Sequence, residues 1–147
     1  MDTNIEKRFL NKTSGDVLRA ILSLGGPCGE VSMSHIARKN NTSRAFVTKM
    51  LKVLAASKMV NYEPYRGTSL TPAGARVALE LARHHRLLEV FLIDVLGFSS
   101  EAAHAEAECL EHVISEEFEE RLASFLGHPT HCPHGQEIPP ASVGLTG

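Results

Sequence analysis

The chain has 147 residues, 43% of them apolar and 22% charged, with 11 Gly and 7 Pro. That is ordinary globular composition and excludes a disordered, collagen-like or low-complexity chain. The net charge is −2, and no apolar run approaches the roughly 18 residues that a membrane span needs.

Residues 1–12 lack the apolar run of a secretory signal. The three cysteines, Cys28, Cys109 and Cys132, are too sparse for a disulfide framework. Reduced thiols and a cytoplasmic location are the expectation. The charge is segregated: residues 1–76 carry 12 Lys+Arg against 5 Asp+Glu, and residues 77–147 carry 3 against 12. The front has the electrostatics of a polyanion binder. The back is rich in carboxylates and holds seven of the eight histidines, the donor types that suit divalent metals.

In chain order, residues 14–24 set apolar side chains at helical spacing and Gly25-Gly26-Pro27 stops them. Ser32 is placed to cap a short helix to Lys39. After the polar turn Asn40-Asn41-Thr42, Ser43 is placed to cap another helix to about Ser57. Helix, short turn and helix predict a helix-turn-helix. Residues 59–62 and 68–70 flank a Pro/Gly turn and predict a β-hairpin, which after a helix-turn-helix is a wing. Thr71-Pro72 starts a long helix to about Val95. Residues 99–114 and 115–126 predict two more helices, and the four prolines of 128–140 predict a loop. The expectation is a mainly α chain. It has a winged helix-turn-helix over 1–78, an all-α domain over 79–140 and a loose tail over 141–147.

The second helix of the helix-turn-helix opens on Thr42, Ser43 and Arg44 and carries Thr48, Lys49 and Lys52. Hydroxyls at a helix N-terminus suit phosphates, and Arg44 suits a guanine edge or a phosphate. Arg66, at the tip of the hairpin, is placed to reach a phosphate or the minor groove. In the back half, His104, Glu108, Glu111 and His112 fall within about 100° of arc if the helix runs through them. His85 and Glu89 share a face at i,i+4. Asp16 is the one acid of the first predicted helix, and Cys132-Pro-His134 offers a thiol and an imidazole in one loop.

The stretches VTKMLKVLAASKMVNYEPYRGTSLTPAG, RHHRLLEVFLIDVLG, HAEAECLEHVISEEFEERL and CPHGQEIP resemble the diphtheria toxin repressor/manganese transport regulator (DtxR/MntR) family of metal-dependent repressors. The resemblance covers residues 14–140. It implies a winged-helix domain joined to a helical metal-binding and dimerisation domain, with Mn²⁺ or Fe²⁺ as the activating ion and Zn²⁺ or other divalent ions binding in vitro. It implies a primary site of Asp16, His85, Glu108, Glu111 and His112. Glu89, Cys132 and His134 resemble a second site, and His104 takes an ancillary position of iron-sensing members. Glu108 and Asp16 stand where iron sensors tend to carry cysteine and methionine, which leans toward Mn²⁺. Arg19 stands where manganese members often carry an acid, which leans back toward Fe²⁺. Seven residues follow Pro140, so no counterpart of the SH3-like domain of longer members is expected.

The function these features imply is a homodimeric repressor, activated by a divalent metal, on palindromic operators of metal-homeostasis genes. The implied partners are operator DNA and a second copy, with no membrane and no organic substrate. The alternative is a winged-helix regulator sensing a non-metal ligand, with 104–112 as plain acidic surface. A metalloenzyme is disfavoured, because no nucleophile-and-base arrangement accompanies the ligands.

Overall fold

The computed structural model describes residues 3–141, so from residue 142 onward the expected loose tail lies outside the described residues. The chain divides into two compact units, Met1–Leu79 and Glu80–Gly147. No helix among the described residues is long and apolar enough to cross a membrane.

The first unit holds α1 (Thr3–Gly25), α2 (Met33–Lys39), α3 (Arg44–Ala56), β1 (Val60–Asn61), β2 (Ser69–Leu70) and the start of α4 (Pro72–Val90). Helix α1 begins at Thr3 rather than near residue 14, since no Gly or Pro interrupts residues 3–14. It ends where Gly26 turns to φ +72°, a conformation glycine adopts without strain. Helices α2 and α3 are capped as their sequences predict: Ser32 Oγ accepts from His35 N at 3.2 Å and Ser43 Oγ from Phe46 N at 3.0 Å. Between them Asn41 takes φ +51°, a region asparagine tolerates better than most residues. The hairpin pairs Val60 with Leu70 and Asn61 with Ser69, antiparallel, and a bridge from Val31 to Thr68 extends it. A core of Val17, Ile21, Ile36, Val47, Leu51 and Leu70 holds the helices to the hairpin.

The second unit contains the rest of α4, a π-helical turn (Phe91–Val95), α5 (Ser100–Leu110) and α6 (Glu116–Phe125). The long helix thus reaches Val95 as expected, but its last turn is wider, and Gly97 at φ +76° ends it. Ser99 and Ser115 cap α5 and α6. Helix α5 stops at Leu110 rather than near 114. Ser115 must be extended (φ −84°, ψ 165°) to cap α6, and residues 111–113 form the turn that this requires. Leu87, Leu88, Leu92, Ala103, Ala107 and Leu122 make a second core. Val95, Leu96, Val113, Phe118 and Phe125 stay exposed.

Gly74 marks the tightest approach in the first unit: a Cβ there would fall on the Met59 carbonyl. Gly74→Ala is therefore expected to destabilise the protein, although alanine is favoured over glycine inside a helix by about 1 kcal/mol. Leu51 is fully buried, and Leu51→Ala is expected to cost about 2–5 kcal/mol. Urea denaturation followed by circular dichroism measures both; a stabilised Gly74→Ala variant would contradict the close contact.

Candidate metal centre and DNA-reading surface

In the helical unit, α4 presents the sequence Glu80-x3-His84-His85-x3-Glu89, two i,i+4 acid–imidazole pairs that meet at adjacent histidines. Both histidines are held by one residue, Glu111, in the turn after α5. His84 Nδ1 lies 3.1 Å from the Glu111 backbone oxygen, and His85 Nδ1 lies 2.6 Å from Glu111 Oε1. A carbonyl and a carboxylate accept, so each Nδ1 donates. In the neutral ring the lone pair is then on Nε2, and each Nε2 is turned toward a carboxylate: His85 toward Glu89 and His84 toward Glu119.

Glu89 is 1% exposed, and its Oε2 lies 3.3 Å from His85 Nε2, 3.3 Å from His104 Nδ1 and 3.4 Å from His134 Nδ1. Burial works to raise its carboxyl, but the bond and charge of His85, with His104 and His134 behind, outweigh burial and hold it below the usual carboxylate range. Two sets of ligand atoms converge on it: His85, Glu89 and His104, and Glu89, Cys132 and His134.

Cys132 is buried and His134 follows it in a tight loop. The loop closes on itself through Cys132 N to Gln136 O at 2.8 Å and Ile138 N to Thr130 O at 2.8 Å. Arg86 and Arg83, on α4, donate to the carbonyls of Glu137 (2.7 Å) and Pro139 (2.9 Å). The prolines of this segment thus coexist with a fixed conformation.

Of the five residues expected at a primary site, His85, Glu108, Glu111 and His112 lie in the helical unit and Asp16 in the other. His85 and Glu111 touch, and Glu111 Oε2 lies 3.7 Å from His112 Nε2. Glu108 lies on the exposed side of α5 with His104, Oε1 to Nε2 3.1 Å, both about half exposed. Helix α5 ends at Leu110, but Glu111 keeps helical backbone (φ −57°, ψ −26°) with its N–H 2.9 Å from the Ala107 carbonyl, so it stays in register with His104 and Glu108; Glu111 is buried, whereas those two are about half exposed. Asp16, on α1 in the other unit, sits 3.3 Å from Lys12 Nζ. Sequence reasoning missed Glu80, His84 and Glu119, whose ligand atoms also lie within 4.8 Å of one another. The mirrored acid–His–His–acid spacing in α4 was the available signal.

These donors fit a divalent first-row ion. Carboxylate and imidazole suit Mn²⁺ and Fe²⁺, and the thiol of Cys132 broadens the set toward Zn²⁺. The imidazoles at Glu89 include one whose second nitrogen is already anchored, the arrangement that orients a ligating histidine.

In the first unit, Arg44, Lys49 and Lys52 are exposed along α3, and Ser43 is exposed at its N-terminus. Thr42 is half-buried before the cap. Thr48 is half-buried too, its hydroxyl 2.9 Å from the Arg44 carbonyl and 2.6 Å from Met33 Sδ. Arg66 stands at the hairpin tip, 3.5 Å from Glu63 and highly exposed. Beside it Tyr65, which the sequence reading passed over, is fully exposed at φ +65°.

Comparison with known proteins agrees with both units. Residues 10–68 match the iron-dependent repressor N-terminal DNA-binding domain, and residues 71–140 match the iron-dependent repressor metal-binding and dimerisation domain. The iron-dependent repressor IdeR of Mycobacterium tuberculosis is 36% identical over 106 residues, covering 72% of this chain and 46% of that one. The transcriptional regulator MntR of Salmonella typhimurium is 36% identical over 110 residues, covering 75% and 69%. Among solved structures, the manganese regulator SloR superposes with a TM-score of 0.78 at 39% identity, over 86% of this chain and 59% of that one. The chain spans about half the length of the IdeR relatives it matches. With both domain models matched in order and a relative covered over more than two thirds of its length, the chain belongs to the iron-dependent repressor family, the DtxR/MntR family that its motifs resemble.

Proposed function

We propose that the protein is a divalent-metal-activated, homodimeric transcriptional repressor that reads operator DNA with α3 and the wing, and that it works in the cytoplasm. The observation that carries this reading is the Glu89 carboxylate, buried among three imidazole nitrogens within 3.4 Å, in a chain whose other unit exposes a basic, capped helix. A binding module rather than an enzyme fits this arrangement.

His85, Glu89, His104, Cys132 and His134 would hold an ion at the ancillary position. Glu108, Glu111 and His112 would hold one at the primary position, with Asp16 as the ligand the family resemblance adds from the DNA-reading unit. A bound divalent ion supplies two positive charges to an acidic domain and cross-links the side chains that carry it. Glu111 presents its carboxylate through the anchored turn after α5, and His85, with Nδ1 on Glu111 and Nε2 toward Glu89, links the two positions. The exposed apolar side chains Val113, Phe118 and Phe125 are suited to a second copy of the helical unit. A two-fold pair would present two reading heads to a palindrome.

Selective DNA binding should appear when Mn²⁺ or Fe²⁺ is added to chelated protein, read by fluorescence anisotropy on genomic fragments at fixed salt. Binding that ignores metal would favour the sensor of a non-metal ligand. Glu111→Gln and Asp16→Ala should each lose the metal response while leaving weak non-selective binding. Arg66→Ala should weaken binding to all sequences and lower the salt slope by about one.

Thiol chemistry gives an independent readout. Cys28 and Cys109 are exposed and Cys132 is buried, so two thiols should react fast with an aromatic disulfide reagent and one slowly. Saturating Zn²⁺ should slow Cys132 alone, and an unchanged Cys132 rate would remove it from the ligand set.

A further inference from the structure

The device that sets up His85 is built twice. His84, its neighbour, donates Nδ1 to the Glu111 carbonyl at 3.1 Å, which leaves Nε2 as its lone-pair nitrogen. That Nε2 lies 3.2 Å from Glu119 Oε1 and 3.8 Å from Glu80 Oε1. His84 is 6% and Glu119 8% exposed. Their facing atoms lack the directional geometry of a hydrogen bond despite being within reach. Buried polar atoms that approach without bonding point to an absent partner. An imidazole nitrogen and two carboxylates, with the other ring nitrogen pinned to a backbone carbonyl, are the donor set and outer support of a cation site.

We infer that Glu80, His84 and Glu119 form a further divalent-cation site, separate from the Glu89 cluster, that takes a first-row ion through oxygen and nitrogen donors and ties α4 to α6.

The charge around it supports a cation. The charges of Glu116 and Glu119 bear on Glu80, and Arg83, with Nε 3.1 Å from Glu119 Oε1, is the cation in contact with Glu119. Arg83 also donates to the Pro139 carbonyl and already balances part of the charge on Glu119 Oε1, so the open approach for an ion is from the Glu80 side. Burial, with the charges of Glu116 and Glu119 behind it, outweighs the pull of His84 and holds the Glu80 carboxyl above its usual range. Glu80 is half-buried and forms the rim, while His84 and Glu119 form the floor. Because His84 is bonded to the Glu111 backbone, an ion here would brace the turn that presents Glu111 and His112.

The test is a Zn²⁺ titration of the full chain, followed in long-range ¹H–¹⁵N spectra of the imidazole rings and by equilibrium dialysis. His84 Nε2 is expected to move to a metal-bound position while Nδ1 keeps its proton. Glu80→Gln is expected to weaken that response at least tenfold and to lower the bound Zn²⁺ by one ion per chain. His104 and His134 should respond as before, so a failure at the Glu89 cluster is visible separately. Glu119→Gln also removes the partner of Arg83 and could loosen α6; Glu80, at the rim, avoids this, and circular dichroism checks both. A His84 ring that ignores saturating Zn²⁺ would overturn the site and leave the cluster holding a proton alone. So would a response that Glu80→Gln leaves unchanged.

Discussion

Glu111 is the residue around which the helical unit is organised. It is 1% exposed, and a buried carboxylate is tolerated only where donors surround it. Its side chain and its backbone each accept a hydrogen bond from one of two adjacent imidazoles. Those two bonds fix which way both rings face, and so decide where every other ligand atom must come from. Glu89, His104 and the Cys132 loop assemble on one side, and Glu80 and Glu119 on the other. Moving Glu111 would disturb both sets at once, since neither His84 nor His85 has its orientation set by its own helix alone.

Burying so many ionisable groups shapes the energetics of this unit. Among the described residues, His84, His85, Glu89, Glu111 and Glu119 are buried, and all belong to it; Thr68 is the buried polar residue of the first unit. The apolar core that must offset them is modest, with alanines at two of its positions on α5. Charges taken from water need close partners, and a missing partner is more costly than a missing pair. A protein built this way couples folding to what occupies the site, because any ion that binds the folded form alone adds to its stability. The winged-helix unit, with its larger aliphatic core, carries little of this dependence.

Much of the fold was legible because its signals are local. Ser32, Ser43, Ser99 and Ser115 cap helices through bonds to residues three positions on, and Gly26 and Gly97 end them with positive φ. The hairpin and the order of helices follow from such punctuation. The candidate site was legible in part. His85 with Glu89 and the Cys-Pro-His loop are spacings a sequence displays, but the helical face drawn through 104–112 assumed that the helix continued. The helix ends at Leu110, and the turn over 111–113 carries Glu111 and His112. The meeting of His84 with Glu119 joins α4 to α6 across 35 positions of chain, and no local pattern reports such a pairing. At Thr48 the sequence shows the residue type but not the bond its hydroxyl makes to the Arg44 carbonyl one turn back.

The exposed tyrosine of the wing has a consequence for observing the molecule at work. The chain contains no tryptophan and two tyrosines, Tyr62 half-buried at the base of the hairpin loop and Tyr65 standing free at its tip. Its tyrosine emission therefore originates in two residues of the DNA-reading unit, and the helical unit adds only the weak emission of its phenylalanines. An emission change on adding metal without DNA would thus report an event felt at the wing, so the unlabelled protein carries its own readout of communication between its halves.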